Sequence, residues 1–335
     1  MNSPLGDRRR PLSRRALPNG CQGRYIRRLR LSSELVTGLV ITAALGGLAA
    51  AASDASRAQT SGQCGAGDSE PAWSRDGKRI AFQSDRGHPF RSSIFVARAD
   101  GRSLRRVVDG RQPTWTRDNR ILFVLPNGGL ATVRPGLSSP QRIDSIVGSE
   151  PALSPTGREV AVIHDPGGYD LMQIVVSRLD GSGRRIVGEG INPASPSWSP
   201  NGRRLVFENF PIKRNHRGLY VVNADGTHLN QITRGRAVYQ DPAWSPRAAK
   251  IALKASSSSR TTEEIFVINA DGTRLRRLTK TPLGAASRNP AWSPDGKRIV
   301  FASNRANGPY YEDCFSVYVM RADGTALRRL TNPSK

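Results

Sequence analysis

The sequence predicts an all-β fold, a six-bladed β-propeller of four-stranded antiparallel blades, and three observations lead to this prediction. A Pro-Ala-Trp-Ser phrase, or a close variant of it, occurs six times along the chain. A second phrase, typified by Asn-Ala-Asp-Gly-Thr, follows it within the repeat, and short alternating segments fill the space between them. Units of about 40 residues that contain several short strands are typical of propellers.

The first phrase predicts strands A and B of each blade. Its copies begin 38 to 48 residues apart, at Pro71, Pro113, Pro151, Pro196, Pro242 and Pro290. In the last copy the Trp segment is followed by Pro-Asp-Gly and then by Lys-Arg-Ile-Val-Phe. Proline fixes φ and glycine accepts positive φ, so this tripeptide predicts a tight turn between two antiparallel strands.

The second phrase predicts strands C and D. It is clearest at 219–227, 265–273 and 317–325, and most eroded at 130–133. Its Asp-Gly pair closes a hairpin, and a short apolar stretch then forms the outer strand. One such sheet cannot bury both of its faces, but six sheets packed radially can. We therefore interpret the repeated tryptophans as the core between blades: Trp73, Trp115, Trp198, Trp244 and Trp292.

Together these phrases resemble the repeat of the TolB C-terminal propeller and its relatives. The resemblance covers about residues 69–333 and is six copies deep. It implies a propeller whose channel mouth binds partner proteins. TolB itself has an additional α/β domain before the propeller, and we expect that domain to be absent here, because few residues separate the export signal from the first blade.

The chain divides by composition into four parts. Residues 1–34 are a basic N-terminal region, 35–58 a signal peptide or signal anchor, 59–68 a linker and 69–335 the propeller. Arginines precede the uncharged run 35–52, and small residues follow it, which is the pattern of an export signal. Cleavage after Ala58 is favoured, but a run of 18 residues is also long enough for a membrane anchor. Both alternatives predict a periplasmic or other extracytoplasmic location.

The net charge of +24 raises the question of an anionic partner. Only seven of the 51 basic residues are lysine, and so strong an arginine bias is what a GC-rich genome produces. We interpret the charge as compositional and predict no nucleic-acid partner.

The residue before each repeat proline is polar and carries a side-chain oxygen. In a closed propeller these six positions form a ring at the channel mouth, on the face of the long B–C and D–A loops, where function is more often found. We predict that the ring binds a protein or peptide of the cell envelope. The alternative is that each side chain only satisfies the backbone before its proline. The ring consists of Glu70, Gln112, Glu150, Ser195, Asp241 and Asn289.

Histidines and cysteines supply two further candidates. His88, His164 and His216 fall on or beside predicted B–C loops, and we expect ordinary loop histidines there and no metal site. Cys64 and Cys314 are an even pair in an oxidising compartment, and a disulfide between them would hold the N-terminal segment across the seam of the ring. Such a bond requires Cα atoms within about 7 Å.

No Gly-x-Ser-x-Gly elbow, P-loop or zinc-protease motif occurs in the sequence. We therefore predict a monomeric, non-catalytic cell-envelope scaffold without a cofactor. One alternative is a polysaccharide lyase or hydrolase that uses Glu70, Glu150 and Asp241 or the histidines. Another is a ligand-sensing or glycan-binding ectodomain that residues 35–52 hold in the membrane.

Overall fold

The computed structural model describes residues 67–86, 91–137, 139–167, 171–188, 192–210, 217–235, 237–256, 262–306 and 314–332. The chain divides into two units, Met1–Ala58 and Gln59–Lys335, and every described residue belongs to the second. The predictions for the basic N-terminal region, the signal segment and most of the linker lie outside the described residues. Within the ranges given above, no helix is long and apolar enough to cross a membrane.

The described residues form 24 strands, four to each blade. Blades one and two contain β1 (Asp68–Trp73), β2 (Arg79–Ser84), β3 (Ser93–Arg98), β4 (Arg105–Asp109), β5 (Arg111–Trp115), β6 (Ile121–Val124), β7 (Leu130–Val133) and β8 (Gln141–Ile143). Blades three and four contain β9 (Ser149–Leu153), β10 (Glu159–His164), β11 (Gln173–Arg178), β12 (Arg185–Val187), β13 (Pro193–Trp198), β14 (Arg204–Asn209), β15 (Gly218–Asn223) and β16 (Asn230–Gln231). Blades five and six contain β17 (Val238–Trp244), β18 (Lys250–Ser256), β19 (Glu264–Asn269), β20 (Arg276–Arg277), β21 (Ser287–Trp292), β22 (Arg298–Ser303), β23 (Ser316–Arg321) and β24 (Arg328–Arg329).

Each blade is a sheet of four consecutive strands, paired antiparallel in chain order from A to D. The predicted turns close these strands as expected. In the last blade the N–H of Gly296 donates to the carbonyl oxygen of Ser293 at 2.8 Å, and the glycine has a φ of 69°. This arrangement confirms the predicted six-bladed propeller.

Apolar clusters fill all six interfaces between neighbouring blades. The B strands contribute fully buried aromatic rings, such as Phe123 between blades one and two and Phe301 between blades five and six. At the closure of the ring, Trp73 and Phe82 of blade one join Val317 of blade six in one cluster. The last blade therefore packs directly on the first.

The repeated tryptophan lies in these interfaces, and all five copies are buried, which confirms the prediction that they belong to the core. Three indole Nε1 atoms donate to an alanine carbonyl oxygen in strand A of the preceding blade: Trp115 to Ala72 at 3.0 Å, Trp198 to Ala152 at 2.9 Å and Trp292 to Ala243 at 3.0 Å. The Nε1 atoms of Trp73 and Trp244 are buried without a hydrogen-bond partner among the described residues.

An arginine at the start of strand B covers the tryptophan of the next blade. The guanidinium carbon lies 5.3 Å from the ring centroid for Arg79 over Trp115, 5.1 Å for Arg204 over Trp244 and 4.6 Å for Arg298 over Trp73. These distances are within the range of cation–π attraction. The Arg298–Trp73 contact joins blade six to blade one.

Outer-strand arginines make a third type of contact between blades. Arg185 Nε donates to the Ala224 carbonyl oxygen at 2.7 Å, and Arg276 Nη1 to that of Asp323 at 3.1 Å. Arg328 Nη1 donates to the Asp100 carbonyl oxygen at 2.8 Å, across the closure of the ring. Among the described strands no sheet combines both ends of the chain, so contacts between the first and last blades close the ring.

We predict that Trp115→Phe destabilises the fold by about 1 kcal/mol more than Trp244→Phe. Both changes remove the same atoms beneath a stacked arginine, but only the first leaves a carbonyl oxygen, that of Ala72, without its indole donor. Urea unfolding of the two variants measures the difference. Equal losses of unfolding free energy would contradict a stabilising role for the indole hydrogen bond.

Candidate functional site

The six residues predicted to form the mouth ring share one backbone conformation. Each has a positive φ between 50° and 56°, and at each of them a β-bulge interrupts the pairing of strands A and B. Positive φ is uncommon for residues other than glycine. A bulge leaves one residue of the strand unpaired, and the proline that follows has no N–H to lose. The ring residues Glu70, Gln112, Glu150, Ser195, Asp241 and Asn289 all line one cavity.

That cavity has a volume of about 1000 Å³ and is lined by strand A of every blade, so it is the axial channel of the propeller. The ring lies at one end. Prolines and tryptophans of the A strands line the middle, and Arg75, Arg117 and Arg247 of the A–B turns lie at the opposite end. The channel therefore has two chemically different ends.

Three ring side chains accept a hydrogen bond from the backbone of the next blade. Gln112 Oε1 accepts from the N–H of Glu150 at 2.9 Å, and Glu150 Oε2 accepts from the N–H of Ser195. Asp241 Oδ2 accepts from the N–H of Asn289 at 3.0 Å. The alternative given by the sequence, satisfaction of the backbone, thus holds for these three side chains, although the N–H groups belong to the neighbouring blade.

A residue that the sequence analysis missed completes the site. Ser195 Oγ donates to Oε1 of Glu208, in strand β14, at 2.8 Å. Glu208 is only 4% exposed, and its Oε2 is buried without a hydrogen-bond partner among the described residues. It also lines the channel. The available signal was a carboxylate that directly follows the apolar run Leu205–Phe207.

Four carboxyl groups therefore gather at this end of the channel, which we call the acidic mouth: Glu70, Glu150, Glu208 and Asp241. One buried ammonium group partly balances them. Lys254 Nζ lies 3.9 Å from Asp241 Oδ2 and 3.3 Å from Oε1 of Glu263. Lys254 is shared with a fifth carboxylate, and Arg111 is the other cation that acts on Glu70. Among the described residues, the carboxyl groups of the acidic mouth therefore outnumber the cations beside them.

Burial and mutual repulsion change how these carboxyl groups titrate. Burial raises the pKa of Glu70 to about 8, and the neighbouring Glu150 and Asp241 add to the effect, whereas Arg111 opposes it. Burial also raises the pKa of Glu150, against the hydrogen bond from Ser195. Burial is the largest cause of the raised pKa of Glu208, and repulsion from Asp241 is the second. The charge of the acidic mouth thus changes within the neutral range of pH.

The histidine prediction is tested only in part. His164 ends strand β10 and is half-buried, while His88 and His216 lie outside the described residues. Within the part of the chain that the structure describes, no group of three or more His, Cys, Asp or Glu side chains is arranged to hold a metal ion. The absence of a cofactor stays a prediction.

Cys314 is buried and disulfide-bonded, two residues before strand β23. The other two cysteines, Cys21 and Cys64, lie outside the described residues. The backbone N–H of Asp68 donates to the carbonyl oxygen of Phe315 at 2.9 Å, so the chain just after Cys64 passes beside Cys314. This proximity favours the Cys64–Cys314 pair, which stays a prediction.

Six four-stranded blades around a channel define a β-propeller protein. The sequence profile of the TolB beta propeller domain matches residues 53–248 and 236–335, and the chain belongs to this family. No curated protein sequence matches the chain.

Solved structures share the fold at low sequence identity. A protein assigned as TolB from Agrobacterium tumefaciens is 21% identical with a TM-score of 0.58, over 69% of this chain and 85% of that one. An oligogalacturonate lyase in complex with manganese is 13% identical with a TM-score of 0.52, over 80% and 78%. A puromycin-hydrolyzing peptidase of Mycobacterium tuberculosis is 14% identical with a TM-score of 0.56, over 81% and 53%. The fold therefore occurs both in enzymes and in TolB-type proteins.

The raised pKa values predict that stability falls as pH rises from about 4.5 to about 8. In this window the folded protein still holds protons on Glu70 and Glu208 that the unfolded chain has released, so increasing pH favours unfolding. Urea midpoints measured between pH 5 and pH 8 test this. The Glu70→Gln/Glu208→Gln variant should lose less stability across the window than the wild type. Parallel pH profiles would contradict the assignment.

Proposed function

We propose that this chain is an exported, non-catalytic propeller that binds a protein or peptide partner at the acidic mouth of its channel. The observation that carries the proposal is the buried Oε2 of Glu208, which lines the channel and has no hydrogen-bond donor among the described residues. A buried acceptor of this kind is costly unless a donor reaches it. An ammonium or guanidinium group of a partner supplies both the donor and the missing positive charge.

The electrostatics of the acidic mouth support a cationic group as the part of the partner that enters. Repulsion from Glu150 and Asp241 helps to raise the pKa of Glu70, and a bound cation relieves that repulsion. The cavity of about 1000 Å³ is at the upper end of the usual size for ligand pockets. It accommodates a basic side chain or an amino terminus of the partner.

The proposed location rests on the N-terminal sequence pattern. The basic flank, the apolar run 35–52 and the small residues up to Ala58 support export to the periplasm or cell envelope. Membership of the TolB beta propeller family is in keeping with this location. Retention of the apolar run would instead hold the propeller at the membrane as a ligand-sensing or glycan-binding ectodomain.

One observation favours a second candidate function, a polysaccharide lyase or hydrolase. Carboxyl groups with raised pKa values in a cleft are typical of general acids and bases, and Glu70 and Glu208 have this property. Release of new sugar ends from a polysaccharide, abolished by Glu70→Gln, would favour this candidate over partner binding. Turnover that survives the change would place the chemistry elsewhere.

The double variant Glu150→Gln/Asp241→Asn tests partner binding. Blades two and six carry Gln112 and Asn289 at the same ring position, so these amides fit there and keep the acceptor oxygen for the next blade. We expect recovery of the partner in a cross-linking pull-down from envelope fractions to fall at least about tenfold, because each charge-assisted contact contributes about 1.5–3 kcal/mol.

The matched control is Asp225→Asn/Asp271→Asn. It also removes two negative charges, but from the C–D turns of blades four and five, where Oδ1 still accepts from the turn threonines. The control should recover the partner as the wild type does. Undiminished recovery of the partner by the acidic-mouth variant would refute the proposed site. Equal loss of recovery by both variants would mean that binding depends on overall charge and not on the acidic mouth.

A further inference from the structure

At the opposite end of the channel, two of the six blades depart from the repeat at one turn position. The residue after the Trp-Ser pair, or its equivalent, is proline in blades three to six, at Pro155, Pro200, Pro246 and Pro294. In blades one and two it is arginine, at Arg75 and Arg117. Both arginines line the channel at the end away from the acidic mouth. Two adjacent blades thus place a guanidinium group where the other four place an uncharged ring.

These two guanidinium groups converge on one turn of blade three. Arg75 Nη2 donates to the Ser154 carbonyl oxygen at 3.3 Å, and Arg117 Nη1 donates to the Thr156 carbonyl oxygen at 3.3 Å. The acceptors are two residues apart in the same tight turn. Gly157 leaves room for this approach, since a Cβ atom there would lie 2.9 Å from Cγ of Arg117.

Neither arginine has a carboxylate partner in the part of the chain that the structure describes. All ion pairs among the described residues involve other side chains, as in Arg120–Asp118 and Arg86–Asp68. Asp76, next to Arg75 in the chain, accepts instead from the Ser74 hydroxyl and the Lys78 N–H. Burial and the positive charge of Arg117 lower the pKa of Arg75, as expected for two uncompensated cations.

Both side chains are exposed, and most of their donor capacity is not used by the described residues. A guanidinium group has five N–H donors in a planar fork, and each of these two makes one hydrogen bond among the described residues. Planar forks match the oxygens of carboxylate and phosphate groups. Arg247 of blade five lines the same end of the channel and adds positive potential.

We propose that Arg75 and Arg117 form an oxyanion-binding site at this end of the channel, for a ligand with a phosphate or carboxylate group. The site is separate from the acidic mouth and does not depend on the function proposed there. An anion bound between the two side chains relieves their mutual repulsion and occupies donors that now face the channel. Because one end of the channel carries carboxyl groups and the other carries arginines, a ligand with one positive and one negative group would bind in a single orientation.

Calorimetric titration of the full chain at low ionic strength tests the site, with inorganic phosphate in one series and succinate in the other. The variant is Arg75→Pro/Arg117→Pro, which gives blades one and two the proline that the other four blades carry at this turn position. We expect its Kd to rise at least about tenfold for each anion that the wild type binds, because contacts to charged donors are lost.

The charge-matched control is Arg102→Gln/Arg321→Gln, which removes two exposed arginines, one from the C–D turn of blade one and one from the end of strand β23. It should bind as the wild type does. Binding of either anion that only the proline variant loses supports the site and identifies the group it takes. Equal binding by all three proteins, or no binding of either anion by the wild type, overturns the proposal. Should circular dichroism show that the proline variant is unfolded, Arg75→Gln/Arg117→Gln replaces it, with the same expected and contradicting results.

Discussion

Strand A of every blade contains a residue held at positive φ immediately before a proline, and both the ring of blades and the site depend on this constraint. For a residue other than glycine the conformation costs about 1–3 kcal/mol. It produces a bulge in strand A, and the proline ensures that the bulge adds no unpaired N–H. In return, side chains such as Glu150 and Asp241 reach a backbone N–H of the next blade. A local feature of one strand thereby becomes a contact between blades that also faces the channel.

Contacts between repeated motifs of neighbouring blades also explain how the ring closes. Among the described strands no sheet combines both ends of the chain. The last blade is held to the first by packing, by Arg298 over Trp73 and by two hydrogen bonds, from Arg328 to the Asp100 carbonyl oxygen and from the Asp68 N–H to the Phe315 carbonyl oxygen. Such contacts recur at other interfaces and require only that each blade repeat its motif. The channel does not follow this symmetry. Carboxyl groups collect at one end and uncompensated arginines at the other, which gives six similar blades a chemically directional axis.

The sequence predicts the fold well because the signals of the fold are local. One repeat is enough to identify its turns, its alternating strands and its tryptophan. The mouth ring is predicted because the residues before the repeat prolines occupy equivalent positions in the six blades. What the sequence does not reveal depends on contacts between blades. The use of ring oxygens by a neighbouring backbone, the role of Glu208 and the convergence of Arg75 and Arg117 each involve residues 13 to 79 positions apart. Only departures from the repeat, such as an acid after Phe207 or arginine in place of proline, point to them beforehand.

The central claim is that a partner enters the acidic mouth, and site-specific photo-cross-linking tests it most directly. Phe210 lines the channel beside Glu208, so a benzophenone-bearing phenylalanine analogue placed there keeps an aromatic ring in the cavity. The control places the analogue at Leu327, an exposed position at the outer edge of blade six. The account predicts a discrete cross-linked partner from position 210 and none from position 327 in intact cell envelopes. Cross-links from position 327 alone, or the same products from both positions, would contradict it.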